Sequence, residues 1–435
     1  MADLDDPRTA FIRAATWHGP LDPAEAILAA HPELKSRDIH VAAILGDDAA
    51  VRRFIARDPS SVTAKSPPYD GDALNYLGLS KYLRLDRSRT DAFVRAATAL
   101  LDAGADPNTG FWTKGRFPER ETALYGAAGV AHHPEMTRLL LARGADPNDE
   151  EVVYHSPESR DLDAMKLVVE TGRVTPENLS LMLVRKHDWH DYEGAKYLLE
   201  HGADPNYNRK RGWHPLNHAI GRDNSLAMIE LLLDHHADAT TAEKGVSPVQ
   251  LAARRGRGDI LTAFARRGIA LTLSGADRLI AACATNNTAQ IRELTTGDPQ
   301  LVVQVLVDGG KLLAEFTGTW NTDGVRNLLD LGVPVTARYE GDGYFDLEPE
   351  STALHVAAWK LRADLVQLLL ERGAEVDAKD GKGRTPLLLA VKGCVSSYWT
   401  ERRTPEPARL LLQAGASKTG IQVPTGYEAL DILLR

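Results

Sequence analysis

Cysteine is nearly absent: only Cys283 and Cys394 occur in 435 residues. Two thiols exclude a disulfide framework and any zinc site built from several cysteines. Long apolar runs are missing as well, and no stretch approaches the ~18 apolar residues of a membrane span. A basic surplus is also lacking, since 51 Lys and Arg stand against 60 Asp and Glu, for a formal net charge of −9. Nonspecific nucleic-acid binders carry the opposite imbalance. The opening MADLDDPRTAF is acidic and has no basic-then-apolar leader pattern, so no secretory signal is expected. Catalytic fingerprints are missing too: there is no GxGxxG after a strand, no GxxxxGK[ST] and no HExxH. The stretch GDGYFD lacks the calcium-loop spacing. From these absences we expect a soluble cytoplasmic chain, with neither membrane nor nucleic acid as partner and no cofactor. The preference for Arg over Lys fits a GC-rich bacterial genome.

What the sequence does contain is repetition. LLDAGADPN (100–108), LLARGADPN (140–148), LLEHGADPN (198–206) and LLERGAEVD (369–377) are variants of one phrase. Its glycines, Gly104, Gly144, Gly202, Gly268, Gly332, Gly373 and Gly415, lie 40, 58, 66, 64, 41 and 42 residues apart. The three long gaps each divide once, at Gly172, His236 and Gly297, which leaves a period of helical-repeat length. A Leu-rich run ends a helix, Gly closes it in the left-handed conformation, and Asp-Pro turns the chain. His236 in the glycine position is expected to cost local stability or to end its helix differently. A second phrase precedes the first: TALYGAA (122–128), HPLNHAI (214–220), SPVQLAA (247–253), TALHVAA (352–358) and TPLLLAV (385–391). Weaker copies are TAFIRAA (9–15), DIHVAA (38–43) and DRLIAAC (277–283). Thr, Ser or Asp caps a short helix, and the Ala pair lets it lie close to its neighbours.

These two phrases resemble the signatures of the ankyrin repeat, T-P-L-H-x-A-A followed by G-A-D-x-N. Thr352, Leu354, His355, Ala357 and Ala358 match, with Ala353 in place of Pro, while Leu388 stands where His is usual. The resemblance runs from about residue 9 to 435 and implies an all-α solenoid of about twelve paired-helix units with extended inter-repeat turns. We expect one continuous array: N-terminal repeats at 1–148, divergent repeats at 149–206, central repeats at 207–274, further divergent repeats at 275–336, and C-terminal repeats with a half-repeat cap at 337–435. SPESRDLDAMKLVVETGRV reads as having hardly any first helix, and LVVQVLVDGGKLLAEFTGTW lacks the capping phrase. Ala429, Leu430, Leu433 and Leu434 share one helical face, as a terminal seal would require.

The resemblance implies contact through turn tips and first helices. Three turns are enlarged. The first, 108–121, carries Phe111, Trp112 and Phe117 with Lys114 and Arg116. The second, 206–214, carries Tyr207 and Trp213 with Arg209, Lys210 and Arg211. The third, 338–350, carries Tyr339, Tyr344 and Phe345 among Glu340, Asp342, Asp346 and Glu348. Aromatic and Arg side chains dominate interface hot spots, although these could equally fold back over neighbouring repeats. Ile44, Leu45, Tyr76, Leu79, Arg222, Arg254, Arg255, Trp359 and Lys360 are expected on the concave side. Inserts at 77–91 and 393–407 bring Tyr82, Tyr398 and Trp399, read as packing plugs or as a second contact region.

The only dense titratable cluster is RKHDWHDYE (185–193), where His187 and His190 stand at i,i+3 with no third ligand at metal spacing. Cys283 occupies a small core position, and Cys394 has no defined base. The leading reading is a non-enzymatic scaffold that binds a protein partner through its concave face and enlarged turns. The alternative is a small-molecule binder or enzyme whose cleft the aromatic turns close.

Overall fold

The computed structural model describes residues 6–207, 214–397 and 403–435. The expected Arg209, Lys210, Arg211, Trp213, Tyr398 and Trp399 lie outside the described residues. The chain forms two compact units, Met1–Ala237 and Asp238–Arg435. In each, a first and a second helix alternate along the chain.

Among the described residues the first unit holds seven such pairs, from Pro7–Ala15 with Asp22–Ala30 to Pro215–Gly221 with Leu226–Asp234. The second holds five, from Pro248–Arg254 with Gly258–Arg266 to Pro386–Ser396 with Glu406–Gln413, and ends on the half-repeat Glu428–Leu434. The repeating phrases explain this construction. Gly104, Gly144 and Gly202 adopt φ of 97°, 98° and 94° as they close second helices, and His236 takes the same left-handed state at 68°. Gly297 does not, because its helix runs on through Thr288–Gly297 and an extra helix, Gln300–Val307, replaces the usual turn. Caps follow the Thr and Ser positions: the Oγ1 of Thr122 accepts from Tyr125 N, and the Oγ of Ser247 accepts from Gln250 N. In the first repeat the cap is Asp6 and not Thr9, since Pro7 opens that helix. The stretch expected to lack a first helix is preceded by one, Glu150–His155.

Within each unit, successive repeats are stitched by a polar residue in the first helix. His40 Nε2 donates to Ala64 O at 2.8 Å, Asn75 Nδ2 to Glu121 O at 2.8 Å, and His355 Nε2 to Arg384 O at 3.1 Å. Each bond contributes about 1 kcal/mol. Between them the small residues pack closely: a Cβ on Gly126 would lie 2.4 Å from the carbonyl carbon of Gly78. At that contact the helix Ala123–Tyr125 widens into a π turn, Gly126–Val130.

The insert between Ala73–Gly78 and Thr90–Asp102 is a clamp. Trp17 N donates to Leu79 O, Lys81 Nζ to Ala14 O, Ser80 Oγ to Ile44 O, and Arg87 Nη2 to Ala131 O. Arg89 donates to Leu45 O. The carbonyls of Ala14, Ile44, Leu45 and Ala131 close the first helices of three other repeats, where intrahelical donors run out. The clamp buries Tyr82, with the Arg89 guanidinium 5.4 Å from its ring centroid.

Candidate partner-binding surface

The first enlarged turn is a hairpin of Gly110–Trp112 and Arg120–Thr122, in which Phe111 pairs with Glu121 and Trp112 with Arg120. Paired residues share a face, so the hairpin has two characters. Phe111 is buried against Tyr69, their rings stacked 5.3 Å apart, and Trp17 meets it edge-on at 5.5 Å. On the other face Trp112 is 63% exposed, and Phe117 at the tip is 76% exposed with the Arg116 guanidinium over its ring. Adjacent residues of one strand therefore divide between the fold and the surface.

Several residues expected on an exposed first-helix face are buried. Tyr76 has no exposed surface, because its hydroxyl donates to Ser66 O at 2.6 Å and Tyr69 covers it. Ile44, Leu45 and Leu79 lie beneath the clamp described above. Tyr207 and Arg222 are half-buried.

First helices of the later repeats in this unit carry a polar stripe instead. His155 sits between Glu151 (3.2 Å) and Glu158 (3.0 Å). Glu158 also receives Arg185, whose guanidinium lies 4.0 Å over the Tyr154 ring and pairs with Asp188. Asp188 then binds His218 and Arg222, each at 2.8 Å. Burial alone would lower His155, but its bonds to both carboxylates raise it to about 9. Glu158 and Asp188 stay below the usual carboxylate range because their cationic partners outweigh burial. The sequence marked Arg185, Asp188 and Arg222. It gave no comparable notice of Glu151, His155 and Glu158, although their spacing of four and three already puts them on one helical side.

The His187/His190 pair separates: His187 is wholly buried and depressed to about 3 by burial, while His190 is exposed with φ of 51°. Among the described residues no group of three His, Cys, Asp or Glu is arranged to hold a metal. Burial pushes Cys283 up to about 12 and Cys394 up to about 11, so neither is a ready thiolate.

In the second unit the third enlarged turn folds back on its own repeats. Phe345 and Leu347 are buried with Trp359, Val356, Ala314 and Leu389, and Tyr339 and Tyr344 pack against them. Phe345 and Trp359 were expected at an exposed surface. They are core because the Lys360 ammonium lies 3.6 Å over Phe345 and Lys392 5.5 Å from the Trp359 ring centroid, closing the cluster from outside. The acidic character of this turn is neutralised locally: Glu340 pairs with Lys311, Asp346 with Lys392 and Arg384, and Glu348 with Lys382. Arg255 is buried and bound to Glu315 at 2.9 Å, and Arg254 to Asp277 at 2.7 Å.

Paired helices, left-handed closing residues and cross-repeat polar bonds define a helical-repeat binding protein. The chain carries ankyrin repeats. Family models for ankyrin repeats match residues 119–151 (one repeat), 181–274 (three copies) and 342–390 (many copies). Serine/threonine-protein kinase 12 of Arabidopsis thaliana is 39% identical over 85 residues, 20% of this chain and 17% of that protein. B-cell lymphoma 3 protein of Homo sapiens is 49% identical over 69 residues, 16% of this chain and 14% of its own length. Protein glp-1 of Caenorhabditis elegans is 27% identical over 232 residues, covering 46% of this chain and 17% of that protein. The match thus spans less than a fifth of each of these relatives. The crystal structure of the human ASB11 ankyrin repeat domain covers 61% of this chain and 98% of that domain, at 23% identity and a TM-score of 0.27. Ankyrin repeats mark a protein–protein interaction domain. Among the described residues no helix is long and apolar enough to cross a membrane.

Proposed function

We propose that this chain is a non-enzymatic scaffold that holds a protein partner on the outer face of its first hairpin and on the adjoining first helices of the first unit. One observation carries the reading: Trp112 and Phe117 are held in the open by a hairpin whose opposite face is locked into the core. Large rigid aromatics exposed on an ordered element supply contact area at low entropy cost. The stripe from Glu151 to Arg222 adds oriented charges of both signs, which select among partners more than they bind them. The third turn, by contrast, spends its aromatics and carboxylates internally, which supports a contact surface centred on the first unit. A photo-crosslinking residue placed at position 112 tests the reading. Crosslinks to a discrete polypeptide, absent when the same group is placed at the buried position 345, are expected. Equal, diffuse labelling from both positions would sink it.

A further inference from the structure

The first hairpin exposes three cations, Lys114, Arg116 and Arg120, against one exposed acid, Glu119. Its other carboxyl, Glu121, shares the inner face with Phe111 and is buried, so it does not offset them at the surface. Arg120 is tied down at the base, where it donates to Asn108 O at 2.7 Å. Among the described residues no ion pair engages Lys114 or Arg116. Elsewhere the charges of the candidate surface are spent within the fold: Arg185 and Arg222 are held by Glu158 and Asp188, and the acids of the third turn by Lys311, Lys392, Arg384 and Lys382. Arg116 lies 5.4 Å from the Phe117 ring centroid. A guanidinium resting on a ring keeps its in-plane donors for a carboxylate. The tip is thus net positive and aromatic, on a chain whose formal net charge is −9.

We propose that this tip takes an acidic segment of the partner polypeptide, with carboxylates on Lys114 and Arg116 and an apolar side chain against Trp112 and Phe117. The proposal rests on the partner-binding reading above and names the chemistry of the partner. Complementary charge is what the tip offers: its cations have no acid of their own, and charge-assisted bonds from Arg to a carboxylate can be bidentate. The aromatics supply the contact area, since Trp112 is 63% and Phe117 76% exposed. The net charge of the chain repels an acidic segment as a whole, and the tip reverses that sign locally, so the field steers such a segment to the hairpin. Glu119 is the one like charge it meets there.

The test is selection of a displayed random dodecapeptide library on the full chain, run in parallel on the double variant Lys114→Glu, Arg116→Glu. Both side chains are exposed, and circular dichroism checks that the variant folds. Peptides from the parent are expected to share Asp or Glu residues beside an aromatic or aliphatic one. Replacing those acids by Asn or Gln should weaken binding at least tenfold, as should the double variant, and added salt should weaken it further. Glu119→Gln, which removes the like charge, should bind the same peptides about two- to fivefold more tightly, a gain that misfolding cannot mimic. A motif without acids, the same motif from both selections, no enrichment, or weaker binding to Glu119→Gln would each overturn the proposal. So would a random-sequence oligonucleotide that displaces the peptides at equal concentration, because the cations would then serve any polyanion. If the peptides depend on Trp112 and not on Lys114 or Arg116, this proposal falls and the hairpin reading stands. If they depend on none of the three, both fall.

Discussion

Lys81 donates from Nζ to the carbonyl oxygen of Ala14 at 2.7 Å, across 67 residues of sequence. Lys81 is buried, and burial lowers its pKa, so the ammonium is kept for this bond and not for solvent. With Ser80, Arg87 and Arg89 it closes first helices that have no donors of their own. Lys81→Met keeps the apolar stem and removes the donor. We expect a loss of about 1–3 kcal/mol in chemical denaturation, with faster amide exchange concentrated at residues 7–45. An unchanged midpoint would show that the clamp is a passenger.

Much of this architecture was legible in the sequence, because repeat phrases are local. The glycines at 104, 144 and 202 and the caps at Thr122 and Ser247 follow from residue type and spacing. Side-chain direction at the inserts did not. Whether Tyr76 faces solvent depends on Tyr69, which belongs to a different turn, and whether Phe345 is exposed depends on Lys360 from the next helix. Phe111 and Trp112 differ in burial only through the register of a short hairpin, and a one-residue slip reverses the faces.

Two groups of the first unit make its stability fall as pH rises. Glu121 has a folded pKa raised from 4.5 to about 7, so its favourable contribution is complete below 4.5 and lost as pH rises through 7. His155 is raised from 6.5 to about 9, so its contribution is complete below 6.5 and lost as pH rises through 9. The depressed His132, His133 and His187 act in the opposite sense below pH 6.5, so each contribution is read as the difference between the parent and variant unfolding profiles from pH 5 to 9, on the order of 2 kcal/mol for each group. Glu121→Gln should flatten the lower half of the decline, and His155→Gln the upper half. Variant profiles that run parallel to the parent over this range would refute both assignments.

His236 is exposed and holds φ of 68° where other repeats use glycine. Its carbonyl accepts from Asn206 Nδ2 at 2.9 Å, a bond that glycine would retain. A left-handed non-glycine residue costs roughly 1–2 kcal/mol, partly offset by the greater freedom of glycine when unfolded. His236→Gly is therefore expected to stabilise the first unit by about 0.5–1 kcal/mol. A lower melting temperature would mean that the imidazole makes a compensating contact.

The half-repeat Glu428–Leu434 buries Leu430 and Leu434, and Lys418 Nζ donates to Leu434 O at 2.9 Å. Deleting residues 424–435 uncovers the repeat before it. In a nearest-neighbour stack the damage begins locally. Hydrogen exchange should accelerate across 386–416 and leave 39–142 protected. Uniform acceleration along the chain would contradict neighbour-limited coupling.

Phe111 and Trp112 offer the sharpest separation of fold from function. They are consecutive on one strand, so any backbone effect of substitution is shared. Phe111 stacks on Tyr69 and meets Trp17, and its removal leaves a cavity inside that cluster. Phe111→Ala should cost about 3 kcal/mol. Trp112 has most of its surface in solvent and pairs with Arg120 across the hairpin, so Trp112→Ala should cost at most about 0.5 kcal/mol. Binding should show the reverse order for the properly folded fraction. Trp112→Ala, alone or with Phe117→Ala, should weaken capture of the crosslinked partner at least tenfold, the size expected for a truncated aromatic hot spot at about 2 kcal/mol. Trp213→Ala, outside the described residues, is expected to behave in the same way. Should Trp112→Ala melt as early as Phe111→Ala, the outer face of the hairpin is part of the core. Should it melt with the parent and still bind with parental affinity, the partner sits on the stripe from Glu151 to Arg222, and Arg222→Ala becomes the variant that must lose binding.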